Sequence, residues 1–107
     1  MKVFLDDCRE TPEGWYRVFT VEETINALNS KLVTHLSLDN DLGDGFKEGY
    51  KVLDWFEEVV YNSKDFPIPI ITVHSSNAAR VDYMNRAIEN INKIRKQQLE
   101  REQSNEG

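Results

Sequence analysis

Three polar clusters carry the residue types that could do chemistry in this chain: Asp6-Asp7 with Arg9, Asp39-Asn40-Asp41, and His74-Ser75-Ser76-Asn77. Each directly follows an apolar run, so each is expected at the end of a strand. Three carboxylates, Asp6, Asp7 and Asp39, repel one another at close range unless a hard cation lies among them. Mg²⁺ accepts one or two carboxylates and keeps its waters, and Mn²⁺ tolerates the same oxygen set. One divalent ion is therefore expected on these acids, with Asp41 as a further catalytic candidate beside them. Aspartate is also common in turns, so the same acids could do no more than cap loops.

His74 could donate a proton to a leaving alkoxide or bind a phosphate oxygen. A helix starting near Asn77 would aim free backbone N–H groups at the same edge. With the hydroxyls of Ser75 and Ser76 it would form an anion cradle that binds substrate. The competing reading of Ser75, Ser76 and Asn77 is a plain N-cap. Arg9 and Arg80 are the cations placed to hold phosphate oxygens, because a guanidinium grips them in a bidentate way. Arg80 falls in the first turn of the last helix, against the helix dipole, which calls for a partner: a substrate anion or an aspartate. An ordinary surface salt bridge is the alternative for both arginines. His35 inside a strand reads as structural. Cys8 lacks a histidine neighbour in sequence that would make it a nucleophile, and Trp15 could stack on a base but reads better as packed under its own loop.

Positioning these groups falls to a short list of elements. Val3-Phe4-Leu5 reads as a buried first strand, residues 6 to 16 as an ordered loop around Thr11-Pro12-Glu13-Gly14, and Arg17-Val18-Phe19 as a second strand. Thr20 with Glu23 matches a capping box, opening a helix whose inner face is Val21, Ile25, Leu28 and Leu32. A third strand over Val33 to Leu38 ends at Asp39, and the glycine-bearing stretch Gly43-Asp44-Gly45 follows. From Gly49 a second helix buries Tyr50, Leu53, Phe56 and Val60, widened by Val52, Trp55 and Val59. After Pro67-Ile68-Pro69, the run Ile70-Ile71-Thr72-Val73 lacks alternation and predicts a strand buried on both faces. Asn77 caps a last helix with Val81, Met84, Ile88 and Ile91 inward. Beyond Ile94 the chain has good helix formers but little to bury, so a polar helix end over 96–107 is expected to fray.

The order β, β-α, β-α, β-α predicts an α/β sandwich of four mainly parallel strands in the order 2-1-3-4, a receiver-like (flavodoxin-like) arrangement with a long C-terminal helix. In such a sheet the carboxyl ends of the strands open into one crevice at the topological switch point, which would gather the three clusters.

With 107 residues and 39% hydrophobic content, the chain suits one domain, here taken as residues 1–95 with the polar end beyond it. A net charge of −6 argues against broad nonspecific binding of nucleic acid, which needs a basic face. Cys8 is the only cysteine, and neither a signal peptide nor a run of about 20 apolar residues is evident. A cytoplasmic protein without membrane contact is the expectation.

Leu5-Asp6-Asp7-Cys8-Arg9, Pro12-Glu13-Gly14-Trp15, Ser37-Leu38-Asp39-Asn40-Asp41-Leu42-Gly43, Gly49-Tyr50 and His74-Ser75-Ser76-Asn77 together resemble the cyclic-phosphate processing receiver-like domain family. The resemblance covers roughly residues 2 to 92 and extends, more distantly, to response-regulator receiver domains. It implies a receiver-like fold, an acidic metal pocket and a role on cyclic phosphates of nucleotides or RNA ends. Two departures stand out. Asn40 occupies a place where the family pattern has a histidine, leaving His74 to act alone. Compared with ordinary receivers, the chain lacks a fifth strand ending in lysine, which makes Asp39 a poor phosphorelay acceptor. The combined expectation is a metal-dependent phosphoesterase that opens cyclic phosphates. The alternatives are a module that binds a cyclic phosphate or nucleotide without turnover, and a degenerate receiver working through protein contacts.

Overall fold

The structure, a computed structural model, describes residues 1–40 and 48–106. Four strands form one sheet: β1 (Lys2–Leu5), β2 (Tyr16–Val18), β3 (His35–Leu38) and β4 (Ile70–Val73). All pairings are parallel and the order is β2-β1-β3-β4, as the alternation of elements predicts. Three helices complete the fold: α1 (Val21–Asn29), α2 (Tyr50–Asn62) and α3 (Ala78–Glu106).

The position of the helices follows from connectivity. The crossovers β2-α1-β3 and β3-α2-β4 both step in the same direction across the sheet, so right-handed connections put both helices on one face. Accordingly α1 touches α2, and α2 touches α3, in a single layer. The link from β1 to β2 steps the other way without a helix, and its loop comes to the opposite face. Among the described residues the fold is thus two layers deep, with one face of the sheet covered by that loop alone.

The core lies between sheet and helices. Val3 and Leu5 of β1, Leu36 and Leu38 of β3, Val52, Leu53, Phe56 and Val60 of α2, and Met84, Ile88 and Ile91 of α3 are buried in one cluster. The N-cap half of the predicted capping box forms, with Thr20 Oγ1 accepting the Glu23 N–H at 3.1 Å, while the Glu23 carboxylate meets the Thr20 hydroxyl at 3.4 Å. The inner face of α1 stops short of the predicted Leu32, which is 68% exposed. Lys31 adopts φ +65°, a left-handed conformation that ends the helical phase before Leu32.

A second correction concerns β4. It is an edge strand, and its alternate residues Ile70 and Thr72 are exposed, because they point to the face that no helix covers. An unbroken β-branched run therefore marked a strand without marking two-sided burial. The third concerns the chain beyond Ile94. Helix α3 continues through Glu106, and it is docked: Gln98 Nε2 donates to the Val60 carbonyl at 2.8 Å and Arg95 Nη2 to the Phe66 carbonyl at 2.5 Å. These polar side chains satisfy carbonyls at and beyond the C-terminal end of α2.

Candidate functional site

Strand parity decides which polar residues meet. Side chains alternate across a strand, so on β1 Val3 and Leu5 face the helices while Lys2, Phe4 and then Asp6 face the open side. On β3 the open-side series is His35, Ser37, Asp39, and on β4 it is Ile70, Thr72, His74. Asp6, Asp39 and His74 therefore emerge at the same end and on the same side. One further ladder hydrogen bond anchors each beyond its strand: Asp6 N–H to Val18 O at 3.2 Å, Asp39 N–H to Leu5 O at 3.0 Å, and His74 N–H to Leu38 O at 2.9 Å.

The outcome is a compact cluster. One donor atom from each of Asp6, Asp39 and His74 lies within 4.8 Å of the others. Asp6 and Asp39 are buried. The two oxygens of Asp6 have separate tasks. Oδ1 accepts the N–H groups of Cys8 (2.8 Å) and Arg9 (2.9 Å), closing the turn after β1, while Oδ2 faces His74 Nε2 at 3.1 Å and Arg9 Nε at 3.8 Å. Loop capping and site chemistry are thus combined in one carboxylate. Burial alone would raise its pKa. The N–H groups of Arg9 and Cys8 and the neighbouring His74 outweigh that, and the carboxyl is held below its ordinary value.

His74 is held on three sides. Its ring stacks on Phe4, with centroids 4.2 Å apart and planes 3° from parallel. Nδ1 lies 2.6 Å from Ser37 Oγ and Nε2 faces Asp6. Burial pushes the imidazole pKa down, more strongly than Asp6 and Asp39 pull it up, so the neutral ring is favoured. An ionised Asp6 can only accept, which places the ring proton on Nε2 and leaves Nδ1 to accept from the Ser37 hydroxyl. Ser37 and Phe4 were not singled out from sequence as site residues. Their signal is the same parity: a serine two residues before Asp39 inside an apolar strand, and an aromatic two before Asp6.

The other predicted residues take different places. Asp7, expected as a third metal ligand, is not part of the cluster; it lies in the bend that follows β1. Its carboxylate instead raises the pKa of the exposed Cys8 thiol next to it. Arg9 stands beside Asp6 and is half exposed. Arg80 has found its partner in Glu48, 3.5 Å away, and lies over the Tyr50 ring at 5.3 Å from its centroid. Among the described residues, the partner that its place near a helix N-terminus called for is Glu48. Asn77 caps α3, its Oδ1 accepting the Arg80 N–H at 3.1 Å, while Ser75 Oγ accepts the Asn77 N–H at 3.2 Å. Ser75 and Asn77 thus serve the N-cap as acceptors, and Ser76 is exposed beside them. Asp41 lies outside the described residues, as does Gly43-Asp44-Gly45. Asn40, on the helix side, is buried and accepts the Tyr50 N–H at 3.3 Å, tying the start of α2 to the end of β3.

Comparison with known proteins agrees with this architecture. The family description that matches the chain is the cyclic-phosphate processing receiver domain, over residues 1–90. No curated protein and no solved structure gives a match.

Proposed function

Because the chain belongs to the cyclic-phosphate processing receiver domain family, we propose that it opens a cyclic phosphate ester by hydrolysis at the Asp6, Asp39 and His74 cluster. The observation that supports this reading is the imidazole fixed between Ser37 and Asp6, next to two buried carboxylates on adjacent strands. Two carboxylates match what Mg²⁺ or Mn²⁺ takes from a protein. Asp6 and Asp39 would hold such an ion, which when bound would supply positive charge to the phosphate oxygens.

The chain's own groups account for the proton. In hydrolysis a water oxygen bonds to phosphorus, one ribose oxygen leaves, and the water proton must end on that leaving oxygen. Ser37 Oγ can either donate to Nδ1 or accept from it, so the ring can carry its proton on either nitrogen. In the described geometry the ring proton is on Nε2, facing Asp6. Nε2 acts as base once the ring gives up that contact and takes the tautomer with Nδ1–H donating to Ser37, and it then takes the proton of the attacking water and passes it to the ribose oxygen. A depressed pKa suits that base role. Arg9, beside Asp6 and half exposed, is the guanidinium placed to hold a non-bridging oxygen, whereas Arg80 would first have to leave Glu48.

The test is the conversion of 2′,3′-cyclic nucleotides with Mg²⁺ or Mn²⁺. His74→Ala should lower kcat by about 10²–10⁴-fold with KM nearly unchanged, and Asp39→Asn should abolish the metal dependence. Absence of ring opening with either ion, for any of the four bases, would sink the proposal. A second reading has its own support in the partly buried, neutral imidazole: a hydrogen-bonding module that retains a cyclic phosphate without turnover. In that case His74→Ala would weaken binding by roughly one hydrogen bond, ~1–3 kcal/mol, with no product from either protein.

A further inference from the structure

The face of the sheet that no helix covers has a composition unlike the rest of the chain. Its strand residues are Lys2 and Phe4 of β1, Arg17 of β2, His35 and Ser37 of β3, and Ile70 and Thr72 of β4. None is acidic, although the whole chain has 19 acidic against 13 basic residues. Two aromatic rings on this side each carry a cation: Lys2 Nζ lies 5.8 Å from the Trp15 centroid, and the Arg17 guanidinium 4.8 Å from that of the exposed Phe19. Trp15 stands edge-on to both Phe4 and His35, with centroids 6.3 Å away in each case. Since Phe4, itself buried, is stacked on His74, the rings form a continuous series from the candidate site to the partly exposed Trp15 and His35.

By contrast, the groove between α2 and α3, about 320 Å³, is lined by Asp54, Glu57, Glu58, Tyr61 and Ile94 and repels an anion. Exposed acids near the open face, Glu10 and Glu13, belong to the β1–β2 loop rather than to the sheet. Aromatic platforms flanked by cations suit single-stranded nucleic acid, whose bases stack while the phosphates meet the charges. From Asp6 to Lys2 the strand covers about 13 Å, at about 3.3 Å per residue, which is longer than one nucleoside.

We propose that the open sheet face is the track for a single-stranded nucleotide chain whose cyclic-phosphate end lies at Asp6, Asp39 and His74, with a base against Trp15 and a preceding phosphate near Lys2. The direction of the track rests on the cyclic-phosphate reading of that site, while the track itself rests on the composition of the face. It also reconciles a net charge of −6 with a nucleotide partner, because the contact is confined to one local patch.

Two measurements on the full chain separate these ideas. In the first, a tetraadenylate with a plain 3′-hydroxyl end, which has no cyclic phosphate, is titrated at low salt. Trp15→Leu, Lys2→Glu and Ile70→Glu should each weaken its binding by on the order of tenfold to a hundredfold. Lys2 and Ile70 are exposed, so their variants test the face even if Trp15→Leu fails to fold. Lys96→Glu, an equal charge change on α3, should leave binding unaltered, and equal weakening by it would overturn the proposal. In the second, KM is compared for a 2′,3′-cyclic mononucleotide and a dinucleotide with the same cyclic end. The dinucleotide should have the lower KM, and Lys2→Glu should remove the difference without changing the mononucleotide value. If both substrates are opened with equal KM and no face variant alters either measurement, the track is refuted while the cyclic-phosphate reading stands. If the tetraadenylate needs Trp15 and Lys2 but no cyclic end is opened, the reverse holds.

Discussion

At the scale of single residues, the site depends on two groups whose pKa values are both depressed in the folded state. Asp6 is held below 3.8 and His74 below 6.5. A depressed pKa means that the unfolded chain binds the proton more readily, so stability is present above the unfolded value and declines as pH falls through the folded one. The neutral ring of His74 therefore contributes in full above pH 6.5 and is the first contribution lost on acidification. In chelator-treated protein, Tm should fall as the pH drops below about 6.5, and His74→Gln, which cannot titrate there, should flatten that part of the curve. A second decline, from Asp6, belongs below pH 3.8 and should persist in the variant. A histidine variant with the same Tm profile as the unmodified protein would contradict the partly buried neutral ring.

At the scale of elements, the placement of Asp39 depends on a close approach that only glycine permits. A Cβ on Gly49 would sit 1.9 Å from the Asp39 carbonyl oxygen, while the Gly49 N–H already donates to Asn40 O at 2.9 Å. Gly49→Ala must push the start of α2 away from the end of β3. We expect a loss of about 1–3 kcal/mol in urea unfolding, together with weaker metal binding, since the displaced backbone carries Asp39. The other element prediction lies at the opposite end of α2. Gln98→Ala would remove the donor to the Val60 carbonyl at a loss of about 1 kcal/mol, and Arg95→Ala should act similarly through Phe66 O. Chemical denaturation of both variants checks whether the far part of α3 is integral to the fold, and unchanged midpoints would show that it is not.

At the scale of the whole molecule, one helix layer on a four-stranded parallel sheet gathers three strand ends at a single edge and leaves one sheet face to a loop. Among the described residues no helix is long and apolar enough to cross a membrane. The two buried acids at that edge predict a ligand-linked stability. Mn²⁺ at ten times its Kd should stabilise the fold by about 1.4 kcal/mol, a Tm rise of roughly 6 °C for a domain of this size. Asp39→Asn should remove the rise, whereas Asp54→Asn, on the exposed side of α2, should retain it. A rise that survives Asp39→Asn would place the ion elsewhere.

The strand ends, the N-cap at Thr20, the inner stripes of α2 and α3 and the order of the sheet were all legible in the sequence. Each reflects a local period or a short-range cap, together with the handedness of parallel crossovers. The family resemblance was legible for the same reason, because its motifs sit where the strands stop. Tertiary structure alone decided that His74 rather than Asp7 joins Asp6 and Asp39. It also showed that Ser37 and Phe4 hold the imidazole, that Arg80 is paired with Glu48, and that Ile70 and Thr72 are exposed. These outcomes depend on which side of the sheet each residue faces and on what covers that side. Alternation within one strand determines the facing only relative to its neighbours. Which face the helices cover follows from the assembled crossovers and from the one connection that has no helix.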